Sequence, residues 1–126
     1  MLAATYELLK TPPPIIHITE IPESLRIIEC INDDRLAALY ADLDAMLRMA
    51  NAAACDIRLA LRQDAMPNLI KRAFHACETT PPENSWPAKF IDWDLAAAAM
   101  TDYALVTEVV GARYVLVEKP TVLDFS

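Results

Sequence analysis

The sequence predicts an α+β domain that is predominantly helical and carries a small antiparallel sheet. Apolar residues recur at i, i+3, i+4 and i+7 spacing over residues 34–63, the pattern of a long helix with one buried face. Two runs rich in β-branched residues, 104–110 and 113–119, flank Gly111, the chain's one glycine, as the strands of a hairpin do. The length of 126 residues and a hydrophobic content of 55% suit a single domain over residues 1–126.

The N-terminal part begins with a stiff segment, because residues 12–14 are three prolines and proline fixes the backbone angle φ. The β-branched residues of 15–21 favour a strand, which is the candidate third strand beside the hairpin. Pro22 suits the first turn of a helix, and the apolar spacing predicts that this helix covers residues 22–31.

The helix predicted over residues 34–63 gives the strongest periodic signal in the chain. Its apolar stripe consists of Leu36, Leu39, Tyr40, Leu43, Leu47, Ala50, Ala54, Ile57 and Leu61. The stripe stays in phase across Asn51, which favours one helix of roughly 45 Å. A break near Asn51, giving two helices, is the alternative.

The middle of the chain is predicted to hold a further helix over residues 68–77, followed by a loop. His75 and Cys77 lie at the end of that helix, but their spacing lacks the paired ligands of a zinc site, so no metal is expected. Residues 79–87 are rich in proline and polar residues, which indicates a loop. Trp86 within this loop either fastens it to the domain or contacts a partner protein.

A last helix is predicted over residues 93–101, with strongly helix-favouring alanines at its centre. Asp92 is placed to cap its N-terminus, and Asp94 in the first turn adds a favourable charge at the positive end of the helix dipole. Trp93 begins the helix and is a second candidate aromatic contact for a partner.

The hairpin after this helix is predicted to turn at Gly111-Ala112, since a type II′ turn prefers glycine first. In that register Val109 faces Tyr114, and both faces of the hairpin are largely apolar near the turn. A lone hairpin is marginal in water, so a third strand or a covering helix is expected to pack on it.

Charge and composition exclude several classes of protein. The net charge of −7 and the pI of about 4.7 argue against direct nucleic-acid binding but permit a partner with a basic surface. The three cysteines lie among apolar residues, as buried free thiols in a reducing compartment do. No secretory signal and no apolar run of membrane-spanning length is visible, so we expect a cytoplasmic protein without a membrane partner.

Catalytic chemistry is not predicted either. The two histidines are far apart, and no serine or cysteine has a base and an orienting acid at a recognisable spacing. One glycine in the chain excludes glycine-rich phosphate loops. We therefore expect no catalytic residues, no cofactor and no enzyme activity.

Residues 90–117 carry an aromatic-Ile-Asp-aromatic run, an Ala-rich stretch, Asp-Tyr, and a glycine followed by Tyr-Val. The positions are Phe90, Ile91, Asp92, Trp93, Ala97, Asp102, Tyr103, Val106, Gly111 and Tyr114. This order resembles the C-terminal segment of plasmid-borne antirestriction proteins of the ArdA type, acidic DNA mimics that occupy the DNA groove of restriction enzymes. The resemblance implies a counter-defence protein of a mobile element. The charge of −7 is modest for a DNA mimic, and the long helix departs from that family.

The function predicted from these observations is that of a non-catalytic acidic protein that binds and inhibits another protein. Antirestriction and anti-CRISPR factors of phages or plasmids are of this type. The expected contact residues are the acidic Asp92, Asp94, Asp102 and Glu108, although a merely solvated acidic face is the alternative. Two other functions stay open: a small winged-helix regulator that binds DNA, and a homodimeric structural or adaptor protein.

Overall fold

The computed structural model describes residues 11–31, 33–76, 91–102 and 104–119. Within these ranges there are four α-helices: α1 Ile21–Cys30, α2 Leu36–Ala52, α3 Met66–Ala76 and α4 Trp93–Asp102. There are also four strands: β1 Ile15–His17, β2 Asp56–Arg62, β3 Leu105–Val109 and β4 Ala112–Lys119. The predicted α+β class is confirmed.

The four strands form one antiparallel sheet in the order β1-β2-β4-β3. Strands β2 and β4 occupy its centre, where β2 pairs with β1 on one side and with β4 on the other. The hairpin and the N-terminal strand therefore belong to one sheet, as expected, but β2 lies between them. Strands β1 and β3 are its two edges.

Helices cover both faces of the sheet. Helices α1 and α2 pack on one face around a first core that includes Leu39, Met46, Ala60 and Tyr114. Helices α3 and α4 pack on the other face around a second core. Successive residues of β4 alternate between the two, and Tyr114, Val115, Leu116 and Val117 are all at most 8% exposed. The hairpin, which is expected to need a third strand or a covering helix, is therefore covered by helices on both faces.

The prediction of one helix over 34–63 is wrong, because α2 ends at Ala52 and residues 56–62 are the central strand β2. The alternative break near Asn51 gives the correct end of the helix but not the strand. Ile57 and Leu61, which a helix would place on one face, lie on opposite sides of the sheet in the first and second cores. A bulge between Ile57 and Leu59 shifts the alternation, which is why Ile57 and Leu61, four apart in the sequence, face opposite sides.

The N-terminal strand is shorter than predicted. Only Ile15–His17 pairs with β2, opposite Leu59–Leu61. Residues 18–20 form a short 3-10 turn, and α1 begins at Ile21 with Pro22 in its first turn, as Pro22 predicts. His17 is half-buried on this edge strand.

The hairpin turns one residue earlier than predicted. Val110 and Gly111 occupy the two turn positions with φ of 49° and 80°, which makes a type I′ turn rather than type II′. Val109 consequently pairs with Ala112, and Tyr114 pairs with Thr107. This register differs by two residues from the predicted one, so the strand residues keep their predicted faces. Val110, predicted to pair with Arg113, instead lies in the turn and packs against the first core.

The cysteines are less buried than their apolar neighbours in the sequence indicate. Cys30 is an exposed free thiol at the last position of α1, because the buried face of that helix is formed by Ile21, Leu25 and Ile28. Cys55 is a partly buried free thiol, and Cys77 lies outside the described residues.

Candidate functional site

Helix α4 and strand β3 carry three of the four acidic residues that the sequence singled out, and the fourth, Asp92, directly precedes α4. Asp92 has a structural role, since the backbone N–H of Leu95 donates to its Oδ1 at 3.1 Å and this caps α4 as predicted. Asp94 follows in the first turn of α4 and is exposed. A substitution at Asp92 would therefore disturb the helix as well as the surface charge.

Asp102 and Glu108 are exposed as well. Asp94 and Asp102 are eight residues apart on α4, or about 12 Å along the helix axis, so they mark its two ends. Glu108 lies on β3 directly across from Arg113 of β4, which is also exposed. The structure therefore spreads these carboxylates along one segment instead of gathering them at one point.

Trp93 lies between helices α3 and α4 rather than free on the surface. Its ring meets Phe74 at 5.4 Å and His75 at 5.7 Å between centroids, both edge-on, and it packs against the second core. Trp93 thus holds α4 against α3, and its half-buried ring has little area left for a partner. Trp86, the other aromatic candidate, lies outside the described residues together with the predicted loop 79–87.

Sequence reasoning missed two leucines on the same segment. Leu95 is 68% exposed and Leu105 is 42% exposed, and they are the exposed large hydrophobic side chains of the described residues. Trp93, Ala97 and Met100 face the second core, which leaves Leu95 on the outer side of α4. The helical spacing of these inward residues was the signal that could have revealed Leu95.

Leu105 borders an apolar cleft of about 250 Å³ at the point where β3 begins. Strand β4 continues beyond Leu116, the partner of Leu105, and its Val117 and Glu118 extend past the end of β3. Met100 of α4 and Cys55 also line the cleft. We call the exposed residues Asp94, Leu95, Asp102, Leu105 and Glu108 the α4–β3 surface.

The carboxylates of this surface form no ion pair with any described residue. The four ion pairs found among the described residues are all local in sequence and lie elsewhere: Asp33–Arg35, Asp44–Arg48, Asp56–Arg58 and Arg62–Asp64. Four of the chain's arginines are thus held by neighbouring carboxylates, whereas Asp94, Asp102 and Glu108 are not engaged in this way. The α4–β3 surface therefore carries carboxylates that are unpaired among the described residues and two exposed leucines, with Leu105 and Glu108 on opposite faces of β3.

No candidate metal site is found among the described residues. They contain no group of three or more His, Cys, Asp or Glu side chains that could hold a metal ion. A second depression, of about 400 Å³, lies beside the hairpin turn, but Arg62 within it already donates to Asp64 and to the carbonyl of Pro12. His75 has a buried Nδ1 without a hydrogen-bond partner among the described residues, and it contacts the rings of Phe74 and Trp93.

Within residues 11–31, 33–76, 91–102 and 104–119, no helix has the length and apolar character needed to cross a membrane. Comparison of the chain with protein-family models, curated proteins and solved structures finds no match.

Proposed function

We propose that this protein is a non-catalytic inhibitor that binds another protein through the α4–β3 surface. The observation that carries the proposal is the location of Leu95 and Leu105: both exposed large hydrophobic side chains of the described residues lie on the segment that bears Asp94, Asp102 and Glu108. Exposed apolar side chains rimmed by charges are typical of protein interfaces.

The charge of the surface indicates what kind of partner fits it. Asp94, Asp102 and Glu108 complement a basic surface, and proteins that handle nucleic acid carry such surfaces. The chain's net charge of −7 speeds the encounter with a basic partner and repels nucleic acid itself. We therefore propose a nucleic-acid-handling defence complex as the target, with an antirestriction or anti-CRISPR factor of a phage or plasmid as the type of inhibitor.

The winged-helix alternative gains no support from the geometry. Its hairpin would have to project as a wing, whereas β3 and β4 belong to a four-stranded sheet with helices on both faces. The turn is also fastened to α2, since the N–H of Val110 donates to Asp42 Oδ2 at 3.0 Å. We do not propose DNA binding.

A homodimer is the second candidate, and one observation favours it. The outer side of α4 carries Leu95, Ala98, Ala99 and Asp102, all exposed, at the spacing of one helical stripe. Two copies of α4 could pack closely along the alanines, but each would bring Asp102 into the contact. A mass measured by light scattering at rising protein concentration distinguishes the two: a constant monomer mass removes the homodimer.

The inhibitor proposal is tested by capture from bacterial extracts that contain restriction and CRISPR complexes, followed by an activity assay of the captured complex. The variant Asp94→Lys/Asp102→Lys/Glu108→Lys leaves the Asp92 cap intact. The control Glu20→Lys/Glu23→Lys/Asp34→Lys changes three exposed acids, two at the start of α1 and one just before α2, and shifts the net charge by the same amount.

We expect the wild type and the control to capture and inhibit the complex and the first variant to do neither. Equal capture by all three proteins would contradict a role for the α4–β3 surface. Capture without any inhibition would contradict the inhibitor function.

A further inference from the structure

Among the described residues, the outer edge of β3 has no partner strand. A two-residue turn closes on a hydrogen-bonded pair, here Val109 and Ala112, and such pairs alternate along an antiparallel ladder. Thr107 and Leu105 therefore bond to β4, while Val106 and Glu108 direct their N–H and C=O groups away from the sheet. No described residue pairs with that side of β3.

The two edges of the sheet differ in how they are protected. The β1 edge has only three paired residues and directly follows Pro12–Pro14, so it offers little to an incoming strand. Strand β3 has five residues and lacks proline and lysine, two of the devices by which proteins block an edge, and Glu108 is its one charged residue. It is the edge that remains competent for strand addition.

The cleft beside Leu105 gives this edge a place for a side chain. Its volume of about 250 Å³ lies below the range of about 300–1,000 Å³ typical of small-molecule sites. Its lining is mostly apolar, with Met100, Leu105 and Val117 contributing. A cleft of this size and lining suits one aliphatic side chain of a bound strand.

The charges around the edge select the occupant. Glu108 lies on β3 itself, Asp102 lies just before it, and Glu118 lines the cleft, and all three are exposed. A strand with lysine or arginine residues complements them, whereas a second copy would add another net charge of −7. The complementary occupant is a basic segment of another protein.

We propose that the partner adds an extended basic segment to β3 as a fifth strand and inserts an aliphatic side chain into the cleft at Leu105. Backbone hydrogen bonds to Val106 and Glu108 hold the segment, and the cleft and carboxylates select its side chains. This inference rests on the proposed function, because it describes how a partner engages the α4–β3 surface.

The first test uses a short synthetic peptide in which lysine and valine alternate, and a second peptide of the same sequence that is N-methylated at every residue. Both carry the same charge, but the methylated peptide cannot form the strand hydrogen bonds. We expect the first peptide to slow hydrogen exchange of the Val106 and Glu108 amides and the second to leave it unchanged. Equal effects of the two peptides, or no effect of either, would overturn strand addition. Slow exchange without peptide, accompanied by a dimer mass, would show that a second copy is the occupant and would overturn the proposal.

The second test uses the variant Val106→Pro, with Val106→Ala as its control. Because the N–H of Val106 faces outward, proline removes the donor for the added strand and leaves the bonds to β4 in place. We expect Val106→Pro to lose the captured partner while Val106→Ala retains it, with matching thermal unfolding curves. If the Asp94→Lys/Asp102→Lys/Glu108→Lys variant loses the partner but folded Val106→Pro keeps it, the proposed function stands and strand addition is overturned. If the wild type captures no partner, the proposed function is overturned, and strand addition, which rests on it, is overturned with it.

Discussion

Tyr114 donates its hydroxyl proton to the backbone carbonyl oxygen of Pro13 at 2.6 Å, joining β4 to a segment 101 residues earlier in the chain. Arg62, which pairs with Tyr114 across the sheet, donates its backbone N–H to the carbonyl of Pro14 at 2.9 Å and its guanidinium Nη1 to that of Pro12. Prolines have no backbone N–H to donate to a neighbouring strand. The donors of Tyr114 and Arg62 therefore hold the proline segment by its carbonyl oxygens. The fully buried Tyr114 ring meanwhile belongs to the first core.

Removing the Tyr114 hydroxyl should therefore destabilise the fold. We expect Tyr114→Phe to lower the free energy of unfolding by about 1–3 kcal/mol, because a partly buried carbonyl loses its donor. Urea unfolding measures the change. Tyr40→Phe is the matched control, since Tyr40 donates to Glu29 Oε1 at the same 2.6 Å but at the surface. An equal loss in the two variants would contradict the importance of the proline contact.

Alkaline pH should weaken the same contact. Burial raises the pKa of Tyr114 from 10.0 to about 12, so the folded state favours the neutral phenol. Its contribution to stability is complete below pH 10 and is lost as the pH rises through about 12, because the unfolded chain ionises first. We expect the stability difference between wild type and Tyr114→Phe to shrink over this range. A difference that stays constant up to pH 12 would contradict the assignment.

Substitution of Gly111 should cost conformational energy without a clash. A Cβ at Gly111 would meet no atom within 4 Å, but the residue has a φ of +80°. We expect Gly111→Ala to lower the free energy of unfolding by about 1–2 kcal/mol, since non-glycine residues are strained there. Gly111→Asn should cost less, because asparagine tolerates positive φ better than alanine does. Unchanged thermal unfolding of Gly111→Ala would contradict the type I′ turn.

The orientation of α4 can be tested with two neighbouring alanines. Ala97 is 7% exposed and packs in the second core, whereas Ala98 is exposed. We expect Ala97→Leu to destabilise by about 1–3 kcal/mol through overpacking, while Ala98→Leu changes stability by about 0.5 kcal/mol or less. Chemical denaturation measures both. The reverse order would show that α4 is rotated about its axis relative to the described structure.

The elements that local chemistry specifies could be predicted from the sequence. Asp92 caps α4, Pro22 begins a helix turn, and the hairpin faces are as expected, because each depends on near neighbours in the chain. The strand around Ile57 could not be predicted in the same way. It is buried on both faces, so its apolar residues do not alternate regularly with polar ones, and Ile57 and Leu61 lie four residues apart in the sequence, as on one face of a helix.

Of the candidate site, only the exposed acidic residues could be predicted from the sequence. Asp94, Asp102 and Glu108 are exposed, as expected for charged side chains. The role of Trp93 could not be predicted, because it depends on contacts with Phe74 and His75 of α3, which is distant in the sequence. The exposure of Leu105 depends on how far β3 extends along β4, which is a tertiary property. The occurrence of exposed leucines on the same segment as the exposed carboxylates therefore emerged only when the helices and strands were placed together.

The most direct test of the α4–β3 surface as a protein-binding site is the dissociation constant of the purified partner for three proteins. These are the wild type, Asp94→Lys/Asp102→Lys/Glu108→Lys and the charge-matched control Glu20→Lys/Glu23→Lys/Asp34→Lys. We expect the first variant to bind about 10-fold to 100-fold more weakly, because three attractive charges become repulsive, and the control to bind within about 3-fold of wild type. Equal dissociation constants for the wild type and the first variant, with both proteins folded, would contradict the account.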